Sequence, residues 1–276
     1  MKSYPHVIAK LFYEPLLVTR AQHAAMVRVL ESRMAGAGPG VRSDDEDEED
    51  PDELEDGEYV VYEATAVIPV HGTLVPHASD IPASSCGCGL DAVHKMMDMA
   101  LRDRSVERLV FDFRSPGGAV TGIPELAGRI GSVVSKKTIA VTDSECCSGA
   151  LWLATQCQHF YATGSSSVGS IGVWCAYLDI SRQMENDGVN IQEVSAGKYK
   201  TMGAYWKRLT PEEKALVQAD VDQIYGQFKE AVNYRREVAE EFMQGQIFDG
   251  RHAMDIGLCD GLVEGLDEVI EDWRQD

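Results

Sequence analysis

From Tyr59 onward the chain alternates short apolar runs with helical patterns, and that rhythm constrains the fold more than any other feature. Strand-like runs at Ala64 to Val70, Val106 to Phe113 and Thr138 to Val141 are separated by helical patterns at Leu90 to Leu101 and Ile123 to Val134. The alternation continues through a helix at Gly149 to Cys157, a strand near Phe160, a strand at Ile171 to Trp174, a helix near Leu178 to Asn186 and a strand at Ile191 to Val194. Strands joined by helical crossovers run parallel, so the expected class is α/β. A long helix is expected from Pro211, with Thr210 as its cap, to about Phe242. Its apolar positions Leu216, Val217, Val221, Ile224, Tyr225, Phe228 and Val232 recur at helical spacing and predict one stripe that packs on the core or on a neighbouring subunit.

The chain ahead of this region divides in two. Residues 1–37 are expected to form an N-terminal appendage, a short turn followed by an amphipathic helix carrying Leu16, Leu17, Ala21, Ala24, Met26, Val27 and Leu30. Residues 38–58 are Gly, Pro and then acids almost without interruption. Such a segment cannot bury enough apolar surface to fold, and it reads as a disordered, self-repelling linker. It explains most of the charge. The chain has 45 acids against 25 Lys and Arg, a net charge of −20, and twelve of those acids lie between Asp44 and Glu58, leaving −8 elsewhere. Residues 59–276 therefore form a domain with an ordinary surface charge, and a nucleic acid or an anionic membrane is not the expected partner. Met1 to Phe12 lacks the pattern of a signal peptide, and no apolar run approaches the length of a membrane span. The seven cysteines show neither metal-finger spacing nor a disulfide framework, so reduced thiols in a cytoplasmic, soluble protein are expected.

Three places carry chemistry. In Asp112-Phe-Arg-Ser-Pro-Gly-Gly118 a glycine pair follows an apolar strand, and its unhindered N–H groups can face a developing oxyanion. The plain alternative is a strand-to-helix turn. In Cys146-Cys-Ser-Gly-Ala150 a serine opens a helix, where the dipole and free N–H groups favour an anion; the alternative is an ordinary N-cap serine. Cys147 is a rival nucleophile, but its apolar neighbours predict an inert thiol. In Ser195-Ala-Gly-Lys-Tyr-Lys200 a loop offers two lysines. A lysine becomes a general base when desolvation lowers its pKa, whereas most loop lysines are simply exposed. His71, His77, His94, His159 and His252 could supply a histidine base, yet Ser148 lacks the Gly-x-Ser-x-Gly elbow, since Cys146 stands where the first glycine would be.

In order and spacing these motifs resemble the S49 peptidases, the signal-peptide-peptidase-A-like family, and within it the phage head-maturation proteases. The matching stretches are Ile68 to Leu74, Ser115 to Gly118, Cys147 to Ala150, Gly169 to Val173, Ser195 to Lys200 and Ile247 to Leu258, which together span nearly all of the chain after Tyr59. The openings Pro5-His-Val-Ile-Ala and Glu14-Pro-Leu-Leu17 resemble the start of the phage branch. The resemblance implies a Clp-protease/crotonase-like superfold and a Ser/Lys dyad, with Ser148 as nucleophile and Lys200 as general base. It places Ser170 as a hydrogen-bond partner of the lysine amine, and the backbone N–H groups of Gly118 and Gly149 in the oxyanion hole.

It further implies a homo-oligomeric ring whose active sites are completed by neighbouring subunits, no metal or cofactor, and scaffold, portal or capsid proteins as substrates inside a prohead. Two rivals stand beside this reading. One is a cytoplasmic housekeeping peptidase of the same family. The other is a crotonase-like acyl-CoA enzyme or a catalytically inactive assembly subunit.

Overall fold

A computed structural model describes residues 14–34, 59–80 and 87–272; the acidic segment 38–58 lies outside the described residues. The expected α/β architecture with parallel strands is the observed one. Its centre is a six-stranded sheet in the order Gly261–Leu262, His159–Ala162, Lys137–Thr142, Arg108–Arg114, Thr65–His71, Val60–Tyr62, parallel throughout except for the antiparallel edge at Val60–Tyr62. Both faces are covered, which is why these strands read as near-continuous apolar runs. Along Arg108–Arg114, Leu109, Phe111 and Phe113 point into the main core, while Val110 joins Val67, Ile139 and Val141 beneath Val269 of the helix Leu266–Asp272.

The main core is closed by helices whose buried residues follow the helical period. Leu90–Arg102 buries Leu90, Val93, Met96, Met97 and Ala100, and Ile123–Gly131 buries Ile123, Leu126, Ala127 and Ile130. The short helix Gly149–Ala154 is buried along its whole length. The long helix Pro211–Asn233 packs over it through Phe228, whose ring stacks on Trp152 at 4.8 Å. Thr210 caps that helix as expected, in a reciprocal box: its hydroxyl accepts from the Glu213 N–H and the Glu213 carboxylate accepts from the Thr210 N–H. The helix stops at Asn233, short of Phe242, because the Asn233 side chain accepts the Val238 N–H and draws the chain into a turn. Only the second half of the expected stripe reaches the core: Phe228 and Val232 are buried, whereas Leu216 is exposed.

Two small sheets stand at the C-terminal end of the large one. One orders Leu16–Val18, Gly117–Ala119, Thr73–Val75 and Gly87–Gly89; the other orders Ile247–Asp249, Ser167–Gly169 and Glu145–Cys147. Leu16 and Leu17, expected within a short turn and amphipathic helix, instead form a strand that pairs antiparallel with Gly117–Ala119 and is followed by the helix Arg20–Met34. Two expected strands are absent. Ile171 to Trp174 contributes only an isolated bridge from Trp174 to Leu16, and Ile191 to Val194 is irregular. The second error has a clear source, since Val194 is 98% exposed: its apolar run covers an outer arm and never enters a sheet. The expected helix near Leu178 starts later, at Ser181, where the Asp179 carboxylate accepts from the Ser181 N–H and hydroxyl.

Candidate active site

Ser148 sits at the sharp junction between the strand Glu145–Cys147 and the helix Gly149–Ala154. Its backbone has φ 54° and ψ −118°, an unusual conformation for a residue with a Cβ, with a cost of about 1–3 kcal/mol that the surroundings must offset. Four backbone hydrogen bonds hold the junction. The Ser148 N–H donates to Gly169 O at 2.8 Å and Trp152 N–H to Ser148 O at 3.0 Å. Ser115 N–H donates to Glu145 O at 2.7 Å and Cys147 N–H to Ser115 O at 3.1 Å. The ordinary N-cap role is not the one adopted, because the Ser148 side chain makes no capping bond. Its Oγ is buried and has no hydrogen-bond partner among the described residues, and the residue is 1% exposed. A buried hydroxyl without a partner is costly, and it is found where a site keeps a group poised for chemistry.

Ser170 comes alongside because the strands that precede the two serines are neighbours. Ser167–Gly169 runs parallel to Glu145–Cys147, with Val168 opposite Cys146 and Gly169 opposite Cys147, so each strand delivers a serine at its end. Ser170 shares the unusual backbone, at φ 59°, and its N–H is bound by Gln246 O at 2.5 Å.

The glycine pair forms the opposite wall. Gly117 has φ 93°, and a Cβ there would lie 2.0 Å from Leu17 O and 2.9 Å from Gly149 N; a Cβ on Gly118 would lie 1.9 Å from Leu74 O. No side chain fits at either position, and the backbone of the pair is thereby brought against the first turn of the serine helix. The Gly117 N–H is engaged by Ser115 Oγ at 3.2 Å. The glycine pair, Gly149, Ser148 and Ser170 are thereby gathered around the start of the serine helix. Gly117, read in the sequence as half of the glycine pair but given no separate role, belongs with them. Leu17 and Trp174 also lie close by, through backbone and side-chain contacts, and carry no sequence signature.

Lys200 makes no hydrogen bond to Ser148. It lies in a turn where its N–H donates to Gly197 O at 3.1 Å, its side chain is exposed, and among the described residues its ammonium makes no hydrogen bond or ion pair. Neighbouring Lys198 is tied to the Glu212 carboxylate, a bond that raises its pKa and holds it in the charged form. The arm that carries both lysines shows Leu178, Val189, Ile191, Val194, Tyr199 and Tyr205 to solvent.

The rival groups are accounted for. The Cys147 thiol is buried, with its pKa pushed far up by desolvation and by Glu145, and its Sγ lies 3.6 Å from Ser167 O, so it stays an inert thiol. Burial also raises the carboxyl pKa of Glu145. His71 is paired to Asp112 at 2.8 Å, and His94 contacts Arg129 at 2.9 Å; among the described residues no histidine bonds the Ser148 hydroxyl. Among the described residues no group of three or more His, Cys, Asp or Glu is placed to hold a metal ion, and no helix is long and apolar enough to cross a membrane.

The family model described as peptidase family S49 matches residues 133–276. The chain is 26% identical over 97% of its length to the head-tail preconnector protein GP5 of Enterobacteria phage P21, covering 57% of that protein. It is 24% identical over 98% of its length to the capsid assembly protease C of Escherichia phage lambda, covering 65% of it. Protease 4 of Haemophilus influenzae is 24% identical over 77% of this chain and 34% of its own. The chain thus spans less than two thirds of the length of each of these relatives.

Proposed function

The chain belongs to peptidase family S49, and from that premise we propose that it is a serine peptidase in which Ser148 and Lys200 form a catalytic dyad. The observation that carries the reading is the posture of Ser148: a strained backbone and a buried hydroxyl without a hydrogen-bond partner at a helix start, next to Gly149, whose backbone N lies against Gly117. Neutral Lys200 accepts the Ser148 proton as Oγ bonds to the substrate carbonyl carbon. The N–H groups of Gly118 and Gly149 stabilise the oxyanion, and the lysine passes the proton to the leaving amine as the C–N bond breaks. Water activated by Lys200 then cleaves the acyl-enzyme, restoring Ser148. Ser170 holds the lysine amine in place.

Lys200 must travel to do this. A lysine serves as a base only once it is desolvated, and the exposed apolar residues around it support docking of the arm over the cleft, or over that of a second copy in a homo-oligomeric ring. Similarity to the capsid assembly protease of phage lambda and to GP5 of phage P21 supports scaffold, portal or capsid proteins as substrates, processed within an assembling head. The test is intact-mass analysis of the chain co-expressed with its capsid and scaffold proteins, comparing the parent with Ser148→Ala and Lys200→Ala. Processing that ends in both folded variants supports the dyad; processing that persists in either rejects it. A gene neighbourhood without capsid and portal genes would favour a housekeeping peptidase instead.

A further inference from the structure

The strand Leu16–Val18 lies in a slot with a pairing edge on each side. On one side it runs antiparallel to Gly117–Ala119, with Leu16 opposite Ala119, Leu17 opposite Gly118 and Val18 opposite Gly117. On the other side Leu16 exchanges two hydrogen bonds with Trp174, N–H to O at 2.9 Å and the reverse at 3.3 Å, and the Trp174 Nε1–H donates to Val18 O at 3.2 Å. Thr19 N–H donates to Pro116 O at 3.1 Å. Narrow and wide pairs alternate along an antiparallel ladder, so the bond from Thr19 makes Leu17 and Gly118 the next pair to exchange N–H···O=C bonds. The Gly118 N–H thus faces the Leu17 carbonyl. That carbonyl oxygen also lies 3.4 Å from where a Cβ of Gly149 would be, and the Leu17 side chain, fully buried, is 3.3 Å from the same point.

We infer that the slot between Gly117–Ala119 and Trp174 is a binding site for an extended peptide, and that the chain's own residues Leu16 to Val18 are its resident ligand. They lie as a substrate strand would, with a carbonyl turned to the N–H that is meant to stabilise the oxyanion and a side chain packed against the serine helix. The binding mode is strand addition, in which backbone pairing supplies affinity and buried side chains supply selectivity. The aliphatic residues Leu16, Leu17 and Val18 are all buried, so the slot takes aliphatic side chains. The segment is secured behind the slot as well: His23 stacks edge-on against Trp174 at 4.3 Å, and Gln22 Nε2 donates to Thr73 Oγ1 at 3.1 Å. A substrate must displace this strand to reach Ser148. The inference rests on Ser148 being the nucleophile.

The test locks and unlocks the strand in the full chain. Leu16 and Ala119 form a wide pair, with Cα atoms about 4.5 Å apart in such geometry, a spacing that a disulfide can bridge. The double variant Leu16→Cys with Ala119→Cys is oxidised, the new disulfide is mapped by peptide mass, and labelling of Ser148 by a fluorophosphonate probe is followed before and after reduction. Leu16→Pro, which removes the N–H bound by Trp174, is the unlocked form, with hydrogen exchange at residues 117–119 reporting release of the strand.

The expected result is a loss of labelling of at least tenfold in the oxidised form, recovery on reduction, and labelling by Leu16→Pro at least tenfold faster than by the parent. Equal labelling of oxidised and reduced forms would overturn the inference while leaving Ser148 as the nucleophile, as would strand release in Leu16→Pro without faster labelling. Failure of the disulfide to form would overturn it by showing that the strand is not seated in this register. Absence of labelling in every form would remove the nucleophile assignment and the inference with it. Because the lock compares one polypeptide in two redox states, the result does not depend on whether Leu16→Pro folds.

Discussion

The serine side of the molecule and the lysine side are built to different standards. Around Ser148 the backbone of Ser115, Gly169 and Trp152 leaves no choice of position, and the helix that follows is buried on all sides. Around Lys200 the chain makes short-range turns, its side chains face water, and its best ion pair, Lys198 with Glu212, is itself exposed. Preorganisation is therefore invested in the proposed nucleophile and oxyanion donors, where a misplacement of an ångström is costly. The proposed base, Lys200, is left on an exposed arm.

The sharpest test of this contrast separates activity from stability. Ser148→Ala and Lys200→Ala should each lower peptide cleavage by about a thousandfold or more. Neither should lower the thermal midpoint: one removes an unpaired buried hydroxyl and the other an exposed amine. A large drop in midpoint for Lys200→Ala would mean that the arm is as firmly built as the serine side. Lys198→Ala should leave cleavage close to the parent's.

A stability change comes next in size. Phe228→Ala removes a fully buried ring stacked on Trp152 and should cost about 3–5 kcal/mol in denaturant unfolding, since it undercuts the helix behind Ser148. A cost below 1 kcal/mol would place the long helix with the arm rather than with the core. Thr210→Ala opens the capping box at the junction of arm and helix and should cost about 1 kcal/mol by the same measurement.

The smallest effect depends on pH. Burial raises the Glu145 carboxyl pKa in the folded state, so folding favours its protonated form; its ionisation weakens stability as pH rises through that value, and the penalty vanishes below the unfolded value of about 4.3. Glu145→Gln should therefore raise the midpoint at neutral pH and make no difference near pH 4. An unchanged midpoint at pH 7 would show that the serine side tolerates a buried charge.

What could be read from the sequence follows the same division. Strands such as Arg108–Arg114 were legible because burial on both faces writes an unbroken apolar run. The helices were legible from their period and, at Thr210, from the cap. The strand Leu16–Val18 was missed because three residues are too few to show a period. Ile191 to Val194 misled because an apolar run on an exposed arm has the composition of a strand without its burial. In the cleft, Ser148, Ser170, Gly118 and Gly149 come together from motifs far apart in sequence. Sequence alone could say which residue types suit the chemistry, but not that the lysine would stand apart from the serine, since that separation is set by tertiary packing.

The three-stranded sheet beneath the two serines has a consequence in time. Its third strand, Ile247–Asp249, and the Gln246 carbonyl that binds Ser170 arrive long after Ser148 has been synthesised. A nascent chain folds from its N-terminal end as it emerges, so Ser148 is made well before the strand that fixes its neighbour. On the proposed function, the half-made chain is thus a poor protease while it is still on the ribosome.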